Sequence, residues 1–158
     1  MTAIGYVTLE AADDYVARHF TSNDTLRLAW ENLDDEDKEV LLLRSFESIE
    51  SLPLAGRKAD PTQPNAFPRW PSSEVPAAVV AAQIENAVAM SDDSIVEDAA
   101  HYERLWQFGV ESYSIGNLSE SISSGAWSSG GTQSCGIVSA RAIRLLRPYT
   151  GGGYTIRR

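Results

Sequence analysis

Apolar residues return every three or four positions along most of the first 107 residues, the spacing of helices that bury one face. Thr8 can cap the first, which runs from Leu9 to about Phe20 with Leu9, Ala12, Val16 and Phe20 on one side and Tyr15 and His19 beside them. A short second helix over about Thr25 to Asn32 carries Leu26, Leu28 and Trp30. The third has the clearest start: Asp34 caps it and acidic residues fill its first turn. Val40, Leu43, Phe46 and Ile49, with Leu42, form its expected buried stripe as far as Leu52, and Pro53 ends it. Pro76 opens a fourth helix, rich in Ala and Val, through Met90; Ser91-Asp92-Asp93-Ser94 breaks it, and a fifth covers about Ile95 to Gln107.

The pattern then changes. Gly116-Asn117 is a good two-residue turn, and Val110, Tyr113, Ile115, Leu118 and Ile122 supply strand-forming side chains on both sides, so a β-hairpin is expected over about 109–123. An isolated hairpin is marginal in water and needs either the helices beneath it or a neighbouring chain beside it. A Ser/Gly-rich loop with Trp127 in its middle follows over 124–136, and a last helix, about Ser139 to Leu146, contributes Ile143, Leu145 and Leu146. The fold class expected is mainly α: a bundle of about five to six helices with one hairpin in the C-terminal third, forming a single domain over 1–150 with a tail over 151–158.

Between the third and fourth helices lies a connection of about two dozen residues, Pro53 to Pro76, and loops of that length in a compact domain are functional or disordered. Leu54, Phe67, Trp70 and Val75 argue for order, as do prolines that push each preceding residue toward extended backbone. The segment reads as a strap laid over a helical core. Its structural residues are Gly56, Phe67, Pro68 and Arg69, with the Phe67 ring buried and Arg69 fixing the end of the loop through a polar contact.

At 158 residues, 43% hydrophobic and 22% charged, the chain has the size and balance of one soluble globular domain. No apolar run is long enough to span a bilayer, and the start of the chain lacks the basic and apolar regions of a signal peptide. A single cysteine, Cys135, permits no intrachain disulfide and fits a reducing, cytoplasmic origin. The net charge of −9 is unevenly placed: residues 1–100 hold 19 acidic and 7 basic side chains, giving −12, and residues 101–158 hold 3 and 6, giving +3. The acidic part opposes sequence-independent duplex binding, which rests on Lys and Arg neutralising phosphates. It suits a channel through which DNA slides without sticking.

Candidate chemistry is sparse. His19, His101 and Cys135 have no metal-ligand spacing, and Asp34-Asp35-Glu36-Asp37 lacks the alternation and central glycine of a calcium loop. Ser128-Ser129-Gly130-Gly131-Thr132 lacks the Gly-Lys-Ser/Thr ending of a phosphate loop, and no serine sits in a nucleophile elbow. The expectation is a protein that is not an enzyme and needs no cofactor. Trp127, among residues too small to bury it, is either a partner anchor or a ring folded back on its own domain. In the tail, Gly151 to Gly153 allow many directions, Tyr154 and Ile156 fall on one side of an extended segment, and Arg157 and Arg158 can pair with acidic groups. These four residues form a candidate docking arm.

Several of these segments together resemble a known group. They are Gly5-Tyr6-Val7-Thr8-Leu9-Glu10-Ala11-Ala12-Asp13-Asp14-Tyr15, Gly56-Arg57 with Gln63 and Ala66-Phe67-Pro68-Arg69, Val75-Pro76-Ala77-Ala78-Val79, Ala82-Gln83-Ile84-Glu85-Asn86-Ala87, Gly109-Val110-Glu111-Ser112 and Leu145-Leu146-Arg147-Pro148-Tyr149. In that order they are similar to the head-completion, or head-tail adaptor, proteins of long-tailed bacteriophages, a group with relatives labelled DnaT-like single-stranded-DNA-binding proteins. Leu54 stands where relatives often have Trp, and the loop and tail are longer than the pattern requires. The resemblance implies a structural protein of the virion neck, made in the host cytoplasm. It implies a ring of identical subunits, dodecameric by resemblance, that sits under the portal protein, extends the DNA channel without sequence-specific binding and receives the next neck or tail protein, with no membrane involved. In such a ring the hairpin residues would meet the neighbouring subunit. The DnaT-like label implies single-stranded DNA binding instead, which calls for basic, aromatic surface and is ranked below the adaptor on charge. An acidic regulatory binding module is a further alternative.

Overall fold

The computed structural model describes residues 3–107, 112–115, 118–121 and 136–150, with backbone only for 102, 103, 105–107 and the two strands. Six helices stand among the described residues: α1 (Leu9–His19), α2 (Thr25–Glu31), α3 (Asp35–Glu50), α4 (Ala77–Met90), α5 (Asp93–Gln107) and α6 (Ala140–Leu146). Segments β1 (Ser112–Ile115) and β2 (Leu118–Ser121) run antiparallel, with Ser112 opposite Ser121 and Ile115 opposite Leu118. Residues 109–111, 116, 117, 122 and 123 of the expected hairpin, including Val110 and Ile122, lie outside the described residues. So do the side chains of Tyr113, Ile115 and Leu118.

Local chemistry sets the helix starts. Thr8, Asp24, Asp34 and Ser139 each stand in extended backbone and accept an amide from the first turn, from Ala11, Leu26, Asp37 and Ala142 respectively. α4 begins after Pro76 with no side-chain cap. The break before α5 is shorter than the sequence implies: Asp92 accepts from the Ser94 amide and hydroxyl, and its backbone carbonyl accepts from Ile95 and Val96, so the new helix already runs at Asp93.

α4 lies at the centre and packs against α1, α2, α3, α5 and α6. Two clusters of buried side chains share it. Val16, Trp30, Leu42, Ile84 and Val88 fill the space among α1, α2, α3 and α4, and Ile49, Phe67, Val79, Ala82 and Leu146 fill the space under the strap and α6. α4 also buries three polar side chains, Gln83, Glu85 and Asn86. Gln83 accepts from the Tyr6 amide at 3.0 Å and donates to the carbonyls of Ile4 at 2.8 Å and Leu42 at 3.0 Å. Asn86 accepts from the amides of Val138 and Ser139 and donates to the Gly136 carbonyl, which fixes the approach to α6. One residue on α4 thus ties down the N-terminal turn, and another the C-terminal helix.

The expected stripe on α3 is corrected. The buried residues are Lys38, Leu42, Ser45 and Ile49, whereas Val40 and Leu43 are each 46% exposed. The helix is rotated because Ser45 faces α4 and its hydroxyl donates to the Gln83 carbonyl at 2.7 Å, while Lys38 lies over the Trp30 ring and donates to Asp13 at 3.1 Å. Polar residues therefore occupy two positions of the inner face. On α2, Trp30 is buried and Leu28 is 46% exposed, and on α6 it is Ala142 and Leu146 that are buried, with Ile143 at the surface.

Gly5, at φ +67°, makes the tight turn that brings the Tyr6 amide to Gln83, and a Cβ there would stand 2.4 Å from the Phe46 ring. Replacing Gln83 by Leu keeps the bulk but leaves the Tyr6 amide without a partner, while the Ile4 carbonyl keeps the Val7 amide and the Leu42 carbonyl keeps its place in the α3 ladder. An unsatisfied buried group costs about 1–3 kcal/mol, so chemical denaturation of Gln83→Leu should show a loss of about that size. A loss below about 1 kcal/mol would mean that the N-terminal turn holds without this amide.

Candidate functional site

The strap is built before anything can bind to it. Residues 57–59 and 68–70 form a short antiparallel ladder: the Ala59 amide donates to the Pro68 carbonyl and the Trp70 amide to the Arg57 carbonyl, each at 3.0 Å, around the Lys58–Arg69 pair. The Phe67–Pro68 and Trp70–Pro71 peptide bonds are cis. Arg69 spends its guanidinium on backbone: Nε donates to Ala55 O, one terminal nitrogen to Ala66 O and the other to Leu54 O and Gly56 O. Gly56, at φ +79°, turns the chain so that its carbonyl meets that fork. Lys58 donates to the carbonyls of Gln63 and Pro64, and the Gln63 side chain accepts from the Asp60 amide and donates to Asn65 O and Pro68 O. The Asp60 carboxylate is held below its usual range by the Thr62 amide and hydroxyl that donate to it.

The underside is aromatic. Phe67 is 2% exposed, and its ring meets the edges of Tyr6 and Tyr149 at centroid distances of 5.9 and 5.5 Å, while Tyr6 also packs on Phe46 at 5.1 Å. The Tyr6 hydroxyl donates to Glu50 and accepts from the Phe67 amide, and the other Glu50 oxygen accepts from the Ala66 amide. Burial, reinforced by the hydrogen bond to Glu50, raises the Tyr6 phenol well above the ordinary range. Pro68 and Arg69 are half-buried, so of the four structural residues named from the sequence three occupy the ladder and its underside, and Gly56 stands exposed just before it with its carbonyl on Arg69.

Trp70 departs from the rest. Its ring is 60% exposed, the most exposed large apolar side chain among the described residues, and the Arg57 guanidinium carbon lies 4.9 Å from its centroid. Sequence reasoning counted Trp70 with the ordering residues of the strap. The structure separates it from Phe67 and pairs it with a cation.

A second polar group lies across α1, α4 and α6. Tyr15 donates to Glu85 at 2.8 Å, Glu85 is 4% exposed and pairs with Arg141 at 3.1 Å, and His19 stacks on Tyr15 with ring centroids 3.8 Å apart. Burial, then the bond to Glu85, pushes the Tyr15 phenol up to about 12, with Arg141 pulling the other way. These side chains are paired with one another and present no free nucleophile. The candidate anchors Trp127, Tyr154, Ile156, Arg157 and Arg158 lie outside the described residues.

Over residues 2–158 the sequence matches the family described as "Putative DnaT-like ssDNA binding protein". The chain belongs to this family. No curated protein and no solved structure matches it. In this member of the DnaT-like family, the exposed cation and aromatic ring of the strap are the described features closest in type to a single-strand contact, which combines positive charge with stacking surface.

Two outcomes test this account of the site. Phe67→Ala should lower stability by about 3–5 kcal/mol in thermal or denaturant unfolding, since it empties the space between the Tyr6 and Tyr149 rings. A neutral Tyr15 phenol with a raised pKa stabilises the fold fully below its ordinary value of 10.0, and that contribution is lost as pH rises through about 12. Stability should therefore fall across this alkaline window, and Tyr15→Phe should flatten the fall in denaturant midpoints measured against pH.

Proposed function

We propose that this protein binds single-stranded DNA without carrying out chemistry on it. The family match over residues 2–158 carries the reading, and the exposed Trp70 beside Arg57 supports it. The charge limits its form. Outside the strap, residues 1–100 hold 4 basic and 17 acidic side chains, so an extended basic groove is not available there and the contact is local, weak and salt-sensitive. Single strands are preferred to duplex because their unstacked bases offer faces to an exposed ring. Anisotropy of a labelled oligothymidylate of about 30 nucleotides should give a dissociation constant on the order of micromolar at low salt, weakening as salt rises. Absence of binding at about 100 μM protein and low salt would overturn the reading.

The charge split favours a second reading, the bacteriophage head-tail adaptor. A sum of −12 over residues 1–100 suits a ring whose lumen passes DNA without holding it. In that reading the segment 109–123 lies between subunits with its strand edges covered, and Tyr154, Ile156, Arg157 and Arg158 reach the portal protein, with Trp127 as a further anchor. The protein then belongs to the virion neck. Light scattering of the purified protein, alone and mixed with its portal, decides between the two: a ring or portal complex that does not bind single strands supports the adaptor. In that case removal of residues 110–122 should leave a folded helical monomer that no longer assembles.

A further inference from the structure

We propose that Trp70 and Arg57 form a stacking platform for one base of single-stranded DNA, an inference that rests on the single-strand reading above. Three observations place it there. The first is exposure: Phe67 is 2% exposed under the strap, but Trp70, three residues on, keeps 60% of its surface in solvent. A lone large ring left out on a rigid loop is available for contact without any rearrangement.

The second is preorganisation. Arg57 and Trp70 face each other across the ladder, joined by the Trp70 amide to the Arg57 carbonyl at 3.0 Å, and the next pair, Lys58 and Arg69, is tied to surrounding carbonyls by both side chains. The ladder therefore sets the two residues side by side, and the guanidinium carbon stands 4.9 Å from the ring centroid. Little ordering entropy is lost on contact, and a planar cation beside a planar ring is the pairing on which a base can stack while its phosphate meets the charge.

The third is the local field. Residues 53–76 hold Arg57, Lys58 and Arg69 against Asp60 and Glu74, a sum of +1 set in a stretch whose remaining residues sum to −13. A polyanion is repelled by most of the first 100 residues but not by the strap or by residues 136–150, where Arg141, Arg144 and Arg147 stand without an acidic residue, and the strap differs in carrying an exposed Trp beside its cation. An acidic protein segment would be drawn to the same charge, but the indole face and the family match favour a base over a peptide.

The test uses the full chain and the fluorescein-labelled oligothymidylate. Trp70→Ala should weaken binding by about fivefold to a hundredfold, Trp70→Phe by less, and Arg57→Gln should weaken it while lowering the slope of log affinity against log salt by about 0.7. Thermal midpoints should stay near that of the unaltered protein, because the Trp70 ring is mostly outside the core. DNA should quench intrinsic Trp emission in the unaltered chain and in Arg57→Gln, but much less in Trp70→Phe, a readout that does not depend on loss of affinity. Equal affinity and equal quenching in all variants would overturn the platform while leaving single-strand binding intact. No binding by the unaltered chain would overturn both. A Trp70→Ala chain that changes oligomeric mass with no effect on DNA would overturn the platform in favour of a contact between proteins.

Discussion

Three buried polar side chains on one helix, Gln83, Glu85 and Asn86, fix where everything else in this fold must go. The rest of α4 is largely Ala, Val and Ile, which would pack against many partners in many rotations. A buried amide is less permissive, because any arrangement that leaves it unpaired loses the desolvation energy of that group. Gln83 is satisfied only when the Gly5 turn and the Leu42 carbonyl of α3 are both in place, and Asn86 only when 136–139 run alongside. Glu85 is the riskier choice. A carboxylate that is 4% exposed needs a hydrogen bond from Tyr15 of α1 and the charge of Arg141 from α6 together, so the two groups that satisfy it also tie the two ends of the fold to the centre.

The strap depends on that centre. Tyr6 reaches Glu50 and the Phe67 amide because the turn before it is held by Gln83, so the amide on α4 is connected through one tyrosine to the underside of the loop. Above, Arg69 replaces the repeating hydrogen bonds of a regular element with four carbonyls gathered onto one planar cation. A long connection rich in proline thus acquires a fixed shape with little regular secondary structure, and its outer edge can carry side chains at set positions.

What the sequence made legible follows from what hydropathy measures. Helices with a cap and an apolar period stand where expected, because caps and periodicity are local: Thr8 and Asp34 cap as read from the sequence, and the structure adds Asp24 and Ser139. The rotation of α3 was not legible, since its inner face includes Ser45 and Lys38, which an apolar count assigns to solvent. The signal was present in the neighbouring helix, where Gln83, Glu85 and Asn86 interrupt an otherwise apolar run and require polar partners from somewhere. The exposure of Trp70 was not legible for a different reason. Composition treats it as equivalent to Phe67, but in an extended segment residues an odd number apart tend to opposite faces, so burying one ring argues for exposing the other. The following Pro71 and the distant Arg57 add nothing readable until the ladder is known.

Both readings of the function answer to the same electrostatic constraint. A chain with −12 over residues 1–100 cannot hold a polyanion along its length, so whatever contact it makes with DNA is brief, local or arranged by many copies. One exposed ring beside one cation is a weak site taken singly. Repeated around a closed assembly, the same pair would act through effective concentration, each copy touching the strand lightly while the acidic surfaces between them keep it from settling. Single-strand contact and a ring around DNA are therefore physically compatible, and what separates them is the number of subunits that act together on one strand.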